Sequence, residues 1–175
     1  MEFQSLNKLF LDRAEENSNN PFLWSKIDKE WKSLTWNETL EKVKEFSSGL
    51  KSHGIKPGDR IVIVSENRPE WIIADLAITL LGGITVPAYT TNTEDDHHYI
   101  LEHSGAKAVI ISNNILGNRL ALATTRTKDC KLLITIDNYN GFEPEDLNIL
   151  NFEEVCILGK NTLESSLDYL DKINK

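Results

Sequence analysis

Residues 61–88 read IVIVSENRPEWIIADLAITLLGGITVPA, and this stretch decides the fold. Ile61 to Val64 is too short and too β-branched for a helix of its own, so it reads as a strand buried on both faces. A helix follows. Asn67 is placed to cap it by accepting from the Glu70 amide, Pro69 sits in the first turn where a missing N–H does no harm, and Glu70 is the acidic partner. From Trp71 to Leu81 only Asp75 and Thr79 are clearly polar, which predicts a helix covered nearly all round. Gly82 and Gly83 end it, and Ile84 to Val86 open a second strand. Strand, buried helix and strand in so short a span make a βαβ crossover, parallel and right-handed.

Upstream, Leu6, Leu9, Phe10 and Ala14 recur at helical spacing behind Ser5 as cap, until Asn17 to Pro21 breaks the pattern. Phe22 to Ile27 and Trp31 to Leu34 flank the polar turn Asp28-Lys29-Glu30 and predict a hairpin. Thr35-Trp36-Asn37-Glu38 is a capping box for a helix whose face is Trp36, Leu40, Val43, Phe46, Ser47 and Leu50 and whose end is Gly54. Pro57-Gly58 supplies a type II turn into the opening strand. Downstream, Thr93 caps a helix with Asp95 and Asp96 in its first turn, running through Tyr99, Ile100 and His103 to Gly105. Ala108 to Ile111 is a third strand, Ile115 to Thr125 a helix, and Leu132 to Ile136 a fourth strand.

The expected fold is α/β: an open, mostly parallel, doubly wound sheet with helices on both faces, preceded by a short helix and a β-hairpin. Three regions follow from it. Residues 1–34 hold the N-terminal helix and hairpin, 35–137 the parallel-sheet core, and 138–175 a polar loop with terminal helices over Phe152–Leu158 and Leu163–Ile173.

At 175 residues and 40% hydrophobic, the chain can bury the core of one domain. A net charge of -8 and a pI near 5.0 exclude a nucleic-acid partner, whose phosphates need clustered Lys and Arg. Cys130 and Cys156 form no close-spaced pair and fit a reducing, cytoplasmic location. In that compartment the sequon Asn37-Glu38-Thr39 is void. The N-terminus is too polar for a secretory signal, and Trp71 to Pro87 falls short of the ~20 apolar residues a membrane span needs. Neither a peripheral membrane contact nor a homodimer is excluded.

Few residues advertise chemistry. The turn after the first core strand, Ser65-Glu66-Asn67-Arg68-Pro69, has no glycine-rich phosphate loop, and Gly159-Lys160 lacks the rest of a P-loop. Of His97, His98 and His103, only His98 shares a helical face with Glu102, so an exposed polar face is favoured over a metal site. Arg68 with Glu66 and Glu70 reads as a solvated ion pair before it reads as a substrate clamp. Asp75, in an apolar helix, reads as a buried carboxylate that answers a neighbouring donor. Ser65, Ser104 and Ser112 lack a nucleophile elbow, and both cysteines read as small apolar residues. The best site candidate is Pro87 to Thr93, which leaves the C-terminal end of a parallel strand, although a hydroxyl-rich connecting loop is the plainer reading. No catalytic, cofactor-binding or metal-ligating residue is assigned.

Leu34-Thr35-Trp36 with Glu38 and Leu40, Gly49-Leu50, Gly54 to Arg60 (GIKPGDR), Glu66 to Trp71 (ENRPEW) and Leu81 to Tyr89 (LLGGITVPAY) resemble the opening of the AMP-forming acyl-CoA ligases. Within that adenylate-forming superfamily the wording is most similar to the long-chain fatty-acid branch, over about Leu6 to Ile136. The resemblance implies ligation of a fatty acid to coenzyme A through an acyl-adenylate, with ATP, Mg²⁺ and CoA used by the full-length enzyme. It also implies a Ser/Thr/Gly-rich nucleotide loop ending in Lys, which residues 138–175 do not contain. The chain is therefore expected to stop before that loop, to be incomplete relative to the family fold, to bind none of these cofactors, and to be inactive without the remainder of the ligase. The alternatives are a noncatalytic interaction module, half of a split enzyme, or a complete small nucleotide-binding domain.

Overall fold

The computed structural model describes residues 5–162. Ser5 accepts from the Lys8 amide and starts α1 (Leu6–Glu16). β1 (Pro21–Ile27) and β2 (Glu30–Thr35) pair antiparallel across Asp28 and Lys29, both at positive φ, the geometry of a tight two-residue hairpin turn. The capping box opens α2 (Trp36–Ser52): the Glu38 amide donates to Thr35 Oγ1 at 3.1 Å and the Thr35 amide to Glu38 Oε2 at 2.7 Å. Gly58 at φ 84° completes the turn into β3 (Arg60–Val64). Then follow α3 (Pro69–Leu80), β4 (Ile84–Pro87), α4 (Glu94–Ser104), β5 (Ala108–Ile111), α5 (Asn114–Thr124), β6 (Leu132–Thr135), β7 (Asn148–Asn151) and α6 (Phe152–Thr162).

The core sheet has the order β4-β3-β5-β6-β7, and every pair in it is parallel. Side chains alternate across it. Ile61, Ile63, Ala108, Ile110, Leu132 and Ile134 point to the face covered by α2, α3 and α6, while Val62, Val64, Val109, Ile111 and Leu133 point to the face covered by α4 and α5. Both layers are buried, so the fold is a doubly wound parallel sheet, as expected. The N-terminal segments join the first layer. Phe22 stacks on Trp36 at 3.7 Å with Phe10 beside both, and the Asn7 side chain bonds Thr79 on α3.

Three features differ from the sequence reading. Asn67 is not the cap of α3: Pro69 occupies the first helical position and drives the residue before it extended, so Arg68 is the N-cap, with no side-chain cap bond. Nor is α3 covered all round, because Ile72, Asp75 and Thr79 form a stripe only partly removed from solvent. The third difference is β7. Residues 138–175 were expected to hold a loop and helices, yet Asn148–Asn151 is a fifth parallel strand on β6; an edge strand with only Ile149 and Leu150 apolar carries neither of the usual strand patterns. The helix expected from Phe152 runs on to Thr162, and the one over Leu163–Ile173 lies outside the described residues.

Two close approaches test this packing. At the end of α3, the Gly82 amide bonds Thr79 O and the Gly83 amide bonds Ile78 O, a Schellman closure that holds Gly82 at φ 81°. Gly82→Val is expected to lower stability by about 1 kcal/mol or more, read as a fall in the chemical-denaturation midpoint. Where α2 crosses α6, a Cβ on Gly159 would lie 1.7 Å from Glu45 O and one on Gly49 2.1 Å from Val155 O. Gly159→Ala should therefore cost about 1–3 kcal/mol in the same measurement, even though alanine is the better helix former.

Candidate functional site

In this strand order the connections leave β3 and β5 toward opposite faces, which opens a crevice at the C-terminal ends of those two strands. Ser65 to Arg68 line it from β3 and Ser112 to Asn114 from β5. Asn113 caps α5 by accepting from the Leu116 amide at 3.1 Å. Glu66 reaches across the gap: its carboxylate accepts from the buried Ser112 hydroxyl and, at 3.3 Å, from the Asn113 amide group. The Ser112 bond holds the Glu66 carboxyl below the usual range despite partial desolvation. The protein's own anion thus sits on the side chains of Ser112 and Asn113, the two residues that lead into α5.

Arg68 closes the mouth of the crevice. Its Nε meets Glu70 at 2.8 Å and its Nη1 meets Asp137, just beyond β6, at 3.0 Å. Its direct ion pairs are with Glu70 and Asp137, and its charge also helps draw the Glu66 carboxyl down. The group has one cation for three carboxylates, so it favours neither a triphosphate nor a fatty carboxylate.

The Pro87–Thr93 segment is pinned by a residue that sequence reasoning missed. Arg119 Nη1 donates to Thr90 O at 3.2 Å and to Asn92 O at 2.6 Å, and the Thr93–Asp96 capping box fixes the segment's far end. A lone arginine in the apolar pattern Ile115–Thr125 was the available signal. Asp75 is half-exposed, at the edge of the α3 solvent stripe, and so needs no buried donor. Cys130 and Cys156 are buried, and burial pushes both thiols up to about 12, which makes them inert toward electrophiles.

The histidines do not converge. His103 stacks on Tyr99 at 5.3 Å, His98 is half-buried, and His97 is buried with both ring nitrogens unpartnered. Among the described residues no group of three or more His, Cys, Asp or Glu could hold a metal ion. Burial, with the Arg119 charge adding to it and Asp96 opposing, brings His97 from an ordinary 6.5 down to about 4. The unfolded chain therefore takes up this proton as pH falls below about 6.5 and the folded chain only near 4, so acidification through that window favours unfolding. His97→Leu, close in volume and without a charge to gain, should cut the stability lost between pH 7 and pH 5 by about 1–2 kcal/mol, measured as parallel denaturation curves.

The family described as AMP-binding enzyme matches residues 10–156. The long-chain-fatty-acid–CoA ligase FadD15 of Mycobacterium tuberculosis is 39% identical over 80 residues, 46% of this chain and 13% of that protein. The long-chain-fatty-acid–CoA ligase ACSBG2 of Xenopus laevis is 23% identical over 167 residues, 95% of this chain and 22% of that protein. The chain thus spans less than a quarter of the length of either relative. Among solved structures, coronafacic acid ligase from Pectobacterium brasiliense aligns with a TM-score of 0.75 at 22% identity, over 86% of this chain and 29% of that one. The adenylation domain of a carboxylate reductase from Mycobacterium chelonae aligns at 0.77 with 16% identity, over 91% and 30%. At these identities the structural likeness establishes the fold. With the match running from α1 through α6, the chain belongs to the AMP-binding family of adenylate-forming enzymes.

Proposed function

We propose that this chain is the N-terminal scaffold of an AMP-forming long-chain fatty-acid CoA ligase, located in the cytoplasm, and that it forms no acyl-adenylate by itself. In the complete reaction a fatty carboxylate attacks the α-phosphate of ATP, expelling diphosphate, and the CoA thiol then displaces AMP. Both partners in the first step are anionic, so it requires preorganised donors and cations around the phosphates. The switch-point crevice of this chain does not fit that requirement. Glu66 bonds the side chains of Ser112 and Asn113 ahead of α5, and Glu70 and Asp137 pair with Arg68. A triphosphate with Mg²⁺ would displace an existing carboxylate and meet two more.

The single observation that carries the reading is this self-filled crevice in a chain whose family match spans its whole described core. The part played by the chain is mechanical: a rigid parallel sheet on which the remainder of a ligase, in the same or a separate polypeptide, would pack. No diphosphate release is expected when the purified chain is incubated with ATP, Mg²⁺ and palmitate. Release should appear when the chain is co-expressed with a long-chain ligase lacking the corresponding N-terminal segment. Turnover by the chain alone, or saturable ATP binding at the Glu66 crevice, would overturn the proposal.

A further inference from the structure

Between β6 and β7 the chain crosses in parallel without a helix, and residues 136–147 form an irregular strap held against α5. Two asparagines one turn apart on that helix hold it. Asn114 Oδ1 accepts from the Asn140 amide at 3.1 Å, and Asn118 Oδ1 accepts from the Phe142 amide at 2.9 Å. The Tyr139 hydroxyl donates to Phe142 O at 2.6 Å, with Asn118 Oδ1 3.2 Å away. The Tyr139 ring lies so close to Gly117 that a Cβ there would sit 2.5 Å from it.

Inside this clasp Gly141 has no substitute. A Cβ on it would collide with Asn118 Oδ1 and lie 2.6 Å from the Tyr139 oxygen, yet its φ is not in the left-handed region that Gly54, Gly58, Gly82 and Gly105 occupy. Space, and not backbone conformation, demands glycine here. Residue 140 is asparagine, so the packing requirement creates the one Asn-Gly pair in the sequence. In such a pair no side chain shields the glycine nitrogen from the asparagine carboxamide before it. Asn140 is exposed, and among the described residues neither its side chain nor the Gly141 amide makes a hydrogen bond. The neighbouring asparagines differ. Asn113, Asn114 and Asn118 have their carboxamides engaged, and Asn138 precedes a tyrosine.

We propose that Asn140 is a site of spontaneous deamidation in the folded chain, with water as the only co-reactant. The Gly141 nitrogen gives its proton to solvent base and bonds to Asn140 Cγ. The Cγ–Nδ2 bond breaks and ammonia leaves, which closes a five-membered succinimide. Water then adds to one of the two ring carbonyls. Opening at Cγ gives aspartate, and opening at the main-chain carbonyl gives isoaspartate, whose backbone runs through Cβ and Cγ. Nothing is oxidised or reduced. Either product adds one negative charge to a chain whose net charge is -8. Isoaspartate also lengthens the main chain by one C–C bond, about 1.5 Å, next to a glycine on which a single extra carbon finds no room. The clasp then cannot close, and the strap that leads into β7 comes away from α5. The reaction needs neither ATP nor an acyl substrate, so it stands apart from the ligase reading.

The test incubates the full 175-residue chain in native buffer at mildly alkaline pH, with a parallel sample unfolded in urea. In the folded sample the tryptic peptide 132–160 is expected to gain about one mass unit, the exchange of NH2 for OH, and fragmentation should assign the gain to Asn140 ahead of every other asparagine. An isoaspartyl methyltransferase with a labelled methyl donor should mark the same position. Asn140→Gln should abolish both signals at an unchanged melting temperature, because a six-membered imide closes far more slowly and the Asn140 side chain holds nothing in place. The isoaspartyl fraction, separated by its added charge, should unfold at lower denaturant than the parent. Asn140→Asp, with the charge but the ordinary backbone, should match the parent. A folded sample that stays unmodified while the urea sample converts would overturn the proposal, as would first reaction at another asparagine. An isoaspartyl fraction as stable as the parent would overturn the consequence drawn for the strap.

Discussion

In β3 every side chain from Ile61 to Val64 has to be removed from water, on both faces at once. Ile61, Ile63, Val62 and Val64 are each at most 1% exposed. Burying four such side chains is worth roughly 6–12 kcal/mol, as much as the whole net stability of a typical domain. Neither layer of helices is therefore dispensable. α2, α3 and α6 must close one side and α4 and α5 the other, and the strand order follows from one crossover on the first side, α3, and then two on the second, α4 and α5.

That constraint explains which parts of the fold were legible in the sequence. A strand buried on both faces writes itself as an uninterrupted apolar run, and the helices beside it carry local stop and start signals: Thr35 with Glu38, Thr93 with Asp96, and glycines at positive φ. These are interactions between residues three or four apart. β7 was missed because an edge strand is only partly covered and leaves no such run. Arg68 replaced Asn67 as cap because proline's restriction of its predecessor outweighed asparagine's capping preference. His97 was read as part of an exposed face, although it stands four residues before Leu101 on the inward side of α4.

The candidate site was harder to read, for the same reason. Glu66 and Ser112 are 46 positions apart, Arg68 and Asp137 are 69 apart, and Arg119 meets the backbone of Thr90 and Asn92 from another helix. No periodicity encodes such pairs. Together they turn an architecture that elsewhere binds phosphate into one whose crevice is satisfied internally.

The crossing of α2 and α6 has a consequence for the order in which the chain can fold. Gly49 and Gly159 let two backbones touch, and Phe46 stacks on Phe152 at 4.0 Å, yet the two helices are separated by the whole of the sheet in sequence. On the ribosome, the apolar flank of α2 emerges about a hundred residues before its cover, at a synthesis rate of roughly 5–20 residues per second. For several seconds Val43, Phe46 and Leu50 have no native partner on that side. The first layer of the core can seal only once α6 has left the exit tunnel.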